Sequence, residues 1–459
     1  MQGRQSMGLK DKKIYVHVFG CRTSLCEGEY IAGSLMAGGA EIVESLNQSI
    51  NAAVIITCSV TQEADAKCRK LIRRARRILG HEGVLAVCGC WSQSVSESTA
   101  RELGINILAG NRGKNILPDT IENMIHHREN GTDIPAVNTG NEISENMIHD
   151  GGDFVDLRAH INSWDWEELA INYPVMHSRA FIKIQDGCNH FCTYCIIPFL
   201  RGRPVSRPEE NITAEICRLI HNGINEIVLT GIHLGIYGHD INSSLADLIR
   251  EVSKIHELKR LRLGSLEPFC LDDNLLNALS ECESFCHHLH LPLQSGDDGI
   301  LASMRRGYTS SEFVKVCEKA RSVLGDDLHI SSDILVGFPS ESDNAFNHTL
   351  DTMRAAKFGR VHVFPYSRRE GTIAASMTNQ IHHDVKINRT SQAISLGHEL
   401  YDDYVNQFVN SDAEVLIESN GRGYTRHYIE AVCTGNDNEI VNAKVKGASN
   451  GRLACIRRD

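Results

Sequence analysis

Gly187-Cys188-Asn189-His190-Phe191-Cys192-Thr193-Tyr194-Cys195 is the stretch whose reading decides the fold. Its Cys-x3-Cys-x2-Cys spacing places three thiols on one short loop. A cubane iron–sulfur cluster has four irons, so three thiolates can hold three of them and leave the fourth open to a ligand. Structural zinc prefers four protein ligands in two separated pairs, and no second pair follows this loop. Read alone, the loop leaves three possibilities: an open cluster, zinc, or unrelated buried thiols.

The loop follows Ala180–Ile184, the first of six candidate strands of a second βα series; the others are Glu226–Thr230, Arg260–Gly264, Leu289–Leu293, His329–Val336 and Arg360–Phe364. Helical patterns fill the gaps near 208–222, 242–256, 272–283, 310–323 and 342–357. Six βα units are fewer than the eight of a closed barrel. They predict an open, partial (βα)6 barrel whose mouth lies at the strand C-termini, with the cysteine loop in that mouth.

Upstream, from Lys13, short apolar runs alternate with helical patterns, as in an open α/β sheet. Ile14–Phe19 ends at Gly20-Cys21, Val54–Thr57 at Cys58, and Val84–Val87 at Cys88-Gly89-Cys90. The carboxyl edge of such a sheet is where ligands bind. One cysteine at a strand end is ordinarily a core thiol, but a cysteine at three strand ends points to a second three-thiol site. Between Thr61 and Leu79 an amphipathic helix presents Leu71, Ile72, Ala75, Ile78 and Leu79 on one face and Lys70, Arg73, Arg74 and Arg77 on the other. Those cations are either a solvated face or a seat for an RNA backbone.

Periodicity weakens from about 119 to 178, a stretch rich in Gly, Asn and Asp that also carries Trp164 and Trp166. After a last helical stretch, about Val385 to Val409, the tail reads as short strands: Ala413–Glu418, Tyr424–Val432, Glu439–Val445 and Arg452–Arg457. These suggest a small β-barrel. Tyr424, Arg426, His427 and Tyr428 on its second strand are either plain surface or RNA contacts. The predicted division is an N-terminal domain at 13–125, a connection at 126–174, a central domain at 175–408 and a C-terminal barrel at 410–459.

A hydrophobic content of 42% with 23% charged residues is an ordinary globular balance, and the net charge of −11 excludes a uniformly basic coat. The 16 cysteines, with no apolar leader in front of them, read as reduced thiols in the cytosol rather than a disulfide framework. No run approaches the ~18 apolar residues of a membrane span.

The cysteine loop followed by Ile196-Ile197-Pro198 and Arg201-Gly202-Arg203 resembles the radical S-adenosylmethionine (SAM) enzymes, and within them the methylthiotransferases. The resemblance covers nearly the whole chain, and the tail resembles the TRAM RNA-binding barrel. It implies a [4Fe-4S] cluster on Cys188, Cys192 and Cys195 that binds SAM. It also implies an auxiliary [4Fe-4S] cluster on Cys21, Cys58 and Cys90, in the contexts Gly-Cys, Thr-Cys and Gly-Cys. Gly89-Cys90-Trp91-Ser92-Gln93 fits the family pattern where Cys88 does not. Thr57–Asp65 with Lys67 and Arg69, Ser265-Leu266-Glu267-Pro268, His288–Gly296 and Val361–Ser367 look like the branch acting on N6-threonylcarbamoyladenosine in tRNA. Departures stand at Ser24 and Ile56, where the family usually has Asn, and at Arg369-Glu370, which interrupts a Pro-Gly-Thr turn.

By the same resemblance the reaction is methylthiolation of carbon 2 of the adenosine next to the anticodon. Its partners would be tRNA, an electron donor such as flavodoxin or ferredoxin, and a sulfur donor. Thr230, Gly231, Ser265, Glu267, Gln294, Asp333 and Gly337 follow or end barrel strands and are the candidates for contact with SAM or substrate. Arg201, Arg203, Arg207, Arg305 and Arg306 are candidate phosphate contacts. The other thiols, including Cys282 and Cys286 beside His287 and His288, are assigned to packing or to exposed free thiols rather than to a metal. The competing functions are an isopentenyladenosine or ribosomal-protein methylthiotransferase, and a non-catalytic iron–sulfur RNA-binding protein.

Overall fold

A computed structural model of the chain describes residues 8–47, 49–131, 148–149, 153–160, 165–175 and 178–458. The chain forms two compact units. Met1–Met176 with Gly187–Asn189 and Ile196–Val205 make the first; His177–Asp186 with His190–Cys195 and Ser206–Asp459 make the second.

The first unit is built on a seven-stranded sheet of β1 (Lys13–Val18), β2 (Glu41–Val43), β3 (Ala52–Thr57), β4 (Val84–Gly89), β5 (Ile107–Leu108), β6 (Ile148–His149) and β7 (Phe154–Asp156), in the order β2-β1-β3-β4-β5-β7-β6. All pairs are parallel except β6 with β7. Every residue of β3 and β4 is buried, which is why both read as unbroken apolar runs. Helices cover the two faces. On one, α1 (Arg22–Ala37) packs Ile31, Ala32 and Leu35 against Ile14, Val54 and Ala86. On the other, α2 (Gln62–Leu79) packs Ile72, Ala75 and Leu79 against Ala53, Ile55 and Leu85. Thr61 caps α2 by accepting from the Ala64 amide at 3.1 Å. Lys70, Arg73, Arg74 and Arg77 are exposed. Phe154–Asp156, read from sequence as part of the connection, pairs with β5 inside the sheet. Trp164 lies outside the described residues, and Trp166 donates to Glu168 at 3.1 Å.

The second unit begins with six parallel strands: β8 (Ala180–Lys183), β9 (Glu226–Thr230), β10 (Arg260–Leu263), β11 (His288–His290), β12 (His329–Val336) and β13 (Arg360–Pro365). They form two runs of three, β8-β9-β10 and β11-β12-β13, linked by bridges at Leu261–Phe285 and Ser265–His290. This is the open, partial barrel expected from six βα units. A long helix, His383–Asn406, lies against β13.

The tail closes into a five-stranded barrel of β14 (Asp412–Ser419), β15 (Arg422–Thr425), β16 (Glu430–Val432), β17 (Ile440–Ser449) and β18 (Arg452–Arg457). The stretch Tyr424–Val432, expected as one strand, is two. Between them Tyr428 takes a left-handed φ of 60° and its amide returns to Thr425 O at 3.0 Å. That turn packs onto the strands of the partial barrel. Arg260 donates to Tyr424 O at 3.1 Å and Thr425 O at 2.8 Å, and Arg262 to Thr425 O at 2.7 Å and Arg426 O at 2.9 Å. Beneath them Glu226, fully buried, lies 2.9 Å from Nε of each arginine and 3.3 Å from Arg179. Burial would push this carboxyl up, but the three guanidinium groups hold it down at about 2. The Tyr428 ring lies 4.8 Å from the Arg262 guanidinium. Arg426 donates to Glu283 O at 2.6 Å and Phe285 O at 2.9 Å. These aromatic and basic residues therefore dock the barrel, a use that neither sequence reading anticipated. No helix among the described residues is long and apolar enough to cross a membrane.

Candidate active site

The cysteine loop is fixed at both ends. In the first unit Gly187 has φ 76° and no room for a Cβ against Arg203 O, and the Cys188 amide donates to Gly202 O at 3.0 Å. In the second, Thr193 donates from its amide to Met304 O at 3.1 Å and from its hydroxyl to Ser303 O at 2.9 Å, and the Cys195 amide reaches Cys192 O at 3.0 Å. Burial alone would raise the Cys192 thiol, but a hydrogen bond with His190 and the nearby Arg306 guanidinium bring it below its ordinary value. Arg306 Nη1 stands 3.5 Å from the sulfur. A thiol biased toward thiolate is the form an iron cluster requires, so this donor set fits such a group.

Arg306 connects the loop to the strand-end residues. Its guanidinium, 1% exposed, also pairs bidentately with Glu267, at 3.1 Å on the Nη1 side, and donates to Pro292 O at 3.2 Å. Thr230 is the last residue of β9 and is buried. A Cβ on Gly231 would stand 2.9 Å from the Gln185 side chain, whose Oε1 accepts from the His233 amide at 2.7 Å. Ser265 bridges to His290, whose Nε2 lies 3.3 Å from Asp333. Gln294, at φ 69°, donates its amide to Asp333 O at 2.8 Å. Gly337, at φ 74°, packs on the Lys386 stem and donates its amide to Glu341 at 2.7 Å. Thr230, Gly231, Ser265, Glu267, Gln294 and Gly337 thus lie at or beyond the carboxyl ends of strands, the binding edge of such a sheet, whereas Asp333, expected to end a strand, lies inside β12 and pairs with His362. His190, His233 and Phe269 form a further aromatic group, with the His190 ring 5.2 Å from Phe269 and 6.2 Å from His233. Sequence reading missed it because the three residues sit on separate loops.

In the first unit Cys21 precedes α1, Cys58 follows β3, and Cys90 opens the five-residue helix α3 (Cys90–Ser94). Glycines bring them together. Gly20, at φ 114°, lets β1 turn so closely that a Cβ there would stand 3.4 Å from the Cys58 sulfur. Gly89, at φ 104°, would put a Cβ 2.5 Å from Thr57 O. Neither conformation suits a side chain. Burial, followed by the proximity of Cys90 and Cys21, pushes the Cys58 thiol up to about 11. Burial likewise raises Cys90, with Cys21 adding to it and Arg201 opposing it. The buried Cys58 and Cys90 thiols, with Cys21 near them, are a donor set whose thiolate forms a cationic cluster would stabilise. Cys88 sits elsewhere: fully buried, it packs in the core with Ile56, Ala86 and Ala109.

Most candidate phosphate contacts prove internal. Arg201 is buried against Glu27 at 3.0 Å, with Lys114 on the same carboxylate at 3.3 Å. Arg207 is buried on Glu215, and Arg306 is occupied as described. Arg203 and Arg305 are exposed. Charge was legible in the sequence, but the buried carboxylates that claim it were not.

Residues 182–353 match the Radical SAM superfamily and residues 13–110 the Uncharacterized protein family UPF0004. The chain is 33% identical over 443 residues to the threonylcarbamoyladenosine tRNA methylthiotransferase MtaB of Bacillus subtilis, covering 94% of this chain and 92% of that protein. It is 32% identical over 399 residues to the tRNA-2-methylthio-N(6)-dimethylallyladenosine synthase of Syntrophus aciditrophicus, covering 85% and 81%. Among solved structures it is similar to the radical SAM methyltransferase TsrM of Kitasatospora setae, with a TM-score of 0.52 at 14% identity over 79% of this chain and 77% of that one. That last likeness is one of fold.

Proposed function

The chain belongs to the radical SAM methylthiotransferase family, and from that premise we propose that it converts N6-threonylcarbamoyladenosine next to the tRNA anticodon to its 2-methylthio derivative. The observation that carries the chemistry is the presence of two three-thiol sets, one on the Cys-x3-Cys-x2-Cys loop and one at the strand ends of the first sheet. Methylthio transfer to tRNA agrees with the names of the full-length relatives. The choice of threonylcarbamoyladenosine is supported by the 33% identity to the Bacillus subtilis protein and 30% over 98% of the chain to its Thermotoga maritima counterpart, together with the Thr57–Asp65 run.

In this reading Cys188, Cys192 and Cys195 hold a [4Fe-4S] cluster with SAM, and Cys21, Cys58 and Cys90 hold a second. When bound, the first pair would supply reductive cleavage of SAM to open a C–H bond, the second cluster would supply or carry the inserted sulfur, and a second SAM would donate the methyl group. The chain's own residues do the rest. Arg306 and His190 hold negative charge on Cys192. Thr230, Gly231, Ser265, Glu267, Gln294, Asp333 and Gly337 would position SAM and the adenosine beside each other. The exposed cations of α2 and the C-terminal barrel provide backbone contacts to tRNA. An electron donor of the flavodoxin or ferredoxin type and a sulfur donor complete the cytosolic system.

Mass spectrometry of tRNA nucleosides from a strain lacking the gene tests this. Loss of methylthio-threonylcarbamoyladenosine, with its precursor accumulating, is expected. Loss of the methylthio-isopentenyl nucleoside instead would transfer the chain to the reaction named for the Syntrophus relative, and an unchanged nucleoside profile would overturn both.

A further inference from the structure

The loops that join the C-terminal barrel to the central sheet carry a third ligand set, remote in sequence from the six cysteines of the other two. His287 precedes β11, Asp327 precedes β12, and His427 lies in the turn between β15 and β16. One ligand atom from each lies within 4.8 Å of the others. The Asp327 carboxylate meets both rings, with Oδ2 at 2.9 Å from His427 Nε2 and Oδ1 at 3.7 Å from His287 Nδ1. Ligands of a tetrahedral zinc ion, at about 2.0–2.1 Å from the metal, are separated by about 3.3 Å, a value these distances bracket.

The three residues are also held in place. The His329 amide donates to His287 O at 3.1 Å and His329 Nδ1 is 2.6 Å from His427 O. The Tyr404 hydroxyl donates to Asp327 O at 2.7 Å. The His427 ring packs 4.7 Å from Phe408. Arg426, the nearby positive charge, has its guanidinium held by the carbonyl oxygens of Glu283 and Phe285. All three ligands remain half-buried or exposed, so a cation has a way in.

We propose that His287, Asp327 and His427 bind one zinc-class divalent cation, which clasps the C-terminal barrel to the central sheet. Two imidazoles and a carboxylate suit a borderline first-row cation and leave a position for water. The ordinary alternative is a His–Asp hydrogen bond with no metal. The proposal is independent of which nucleoside the enzyme modifies.

The test uses the full chain, reconstituted anaerobically with iron and sulfide so that the cluster thiols are occupied, then equilibrated with zinc and freed of excess by a weak chelator. Elemental analysis should find one zinc per wild-type chain, and its X-ray absorption should show a nitrogen and oxygen shell with imidazole scattering. His427→Ala and His287→Ala should lose that equivalent while keeping their iron. Should either lose iron through misfolding, Asp327→Asn replaces an exposed side chain with one of equal size and should lose zinc in the same way. Zinc absent from the wild type, retained by these variants, or surrounded by sulfur would overturn the assignment.

Discussion

Arg306 Nη1 lies 3.5 Å from Cys192 Sγ, a buried cation aimed at a sulfur on the cysteine loop. Hydrogen bonds to cluster sulfurs help set reduction potential. Arg306→Met should therefore move the potential of the loop cluster to more negative values and slow 5′-deoxyadenosine formation by at least about tenfold, as expected for the loss of a charge-assisted bond. Redox titration followed by electron paramagnetic resonance checks the first effect and SAM turnover the second, and Arg306→Lys should recover part of both. An unchanged potential would make the contact structural only.

Cys88 and Cys90 are two residues apart and should behave in opposite ways. Cys90→Ala should remove one cluster's worth of iron and stop thiolation while SAM cleavage continues. Cys88→Ala should keep all the iron and cost roughly 1–2 kcal/mol of stability as a small core cavity. Iron analysis with urea unfolding separates them. Iron lost on replacing Cys88 would reverse the assignment of the third ligand.

Glu226 pairs with three buried arginines. Removing one partner of a buried pair ordinarily costs about 3–5 kcal/mol because the remaining charge is uncompensated. Glu226→Ala should accordingly loosen the C-terminal barrel, read as new protease cleavage in the segment around 407–411. Resistance equal to wild type would mean that the backbone carbonyls alone satisfy Arg260 and Arg262.

His329 gives a pH dependence of definite sign. Burial holds its folded-state value down at about 3, against about 6.5 in an unfolded chain. Between those values the unfolded chain binds the proton and the folded chain does not, so stability rises with pH across this window and is lost as the solution is acidified. The slope should reach up to about 1.4 kcal/mol per pH unit. Urea midpoints of wild type and His329→Gln from pH 7.5 to 5 should converge toward the acid end. Parallel curves would remove His329 as the source. Glu226 titrates outside this range, its contribution fading only as pH falls from the ordinary carboxylate range toward about 2.

The upstream βα series was legible because every residue of β3 and β4 is buried and both read as apolar runs, and the six βα units because their short strands alternate with helical patterns, even at β13, whose residues are half-buried or exposed. Gly20-Cys21 and Gly89-Cys90 were legible as motifs, and their reason is steric: the two glycines occupy positive φ where the chain passes close to Cys58 and Thr57. Long-range pairings were not legible. Nothing local in Arg306 says that it will meet Glu267 and Cys192, nor in Arg201 that it will meet Glu27. Tyr424–Val432 reads as one strand, and the left-handed Tyr428 that divides it lies in a turn whose carbonyls are met by Arg260 and Arg262, far away in the chain. Phe154–Asp156 is too short for periodicity to distinguish it from a loop.

Because Arg260 and Arg262 find hydrogen-bond acceptors on the main chain of Tyr424, Thr425 and Arg426, the tail is not an appendage that can be cut off or exchanged at will. A chain truncated near residue 410 would bare two guanidinium groups beside an apolar sheet edge and should aggregate. A chimera carrying a foreign barrel would need a turn of the same backbone shape, whatever its side chains.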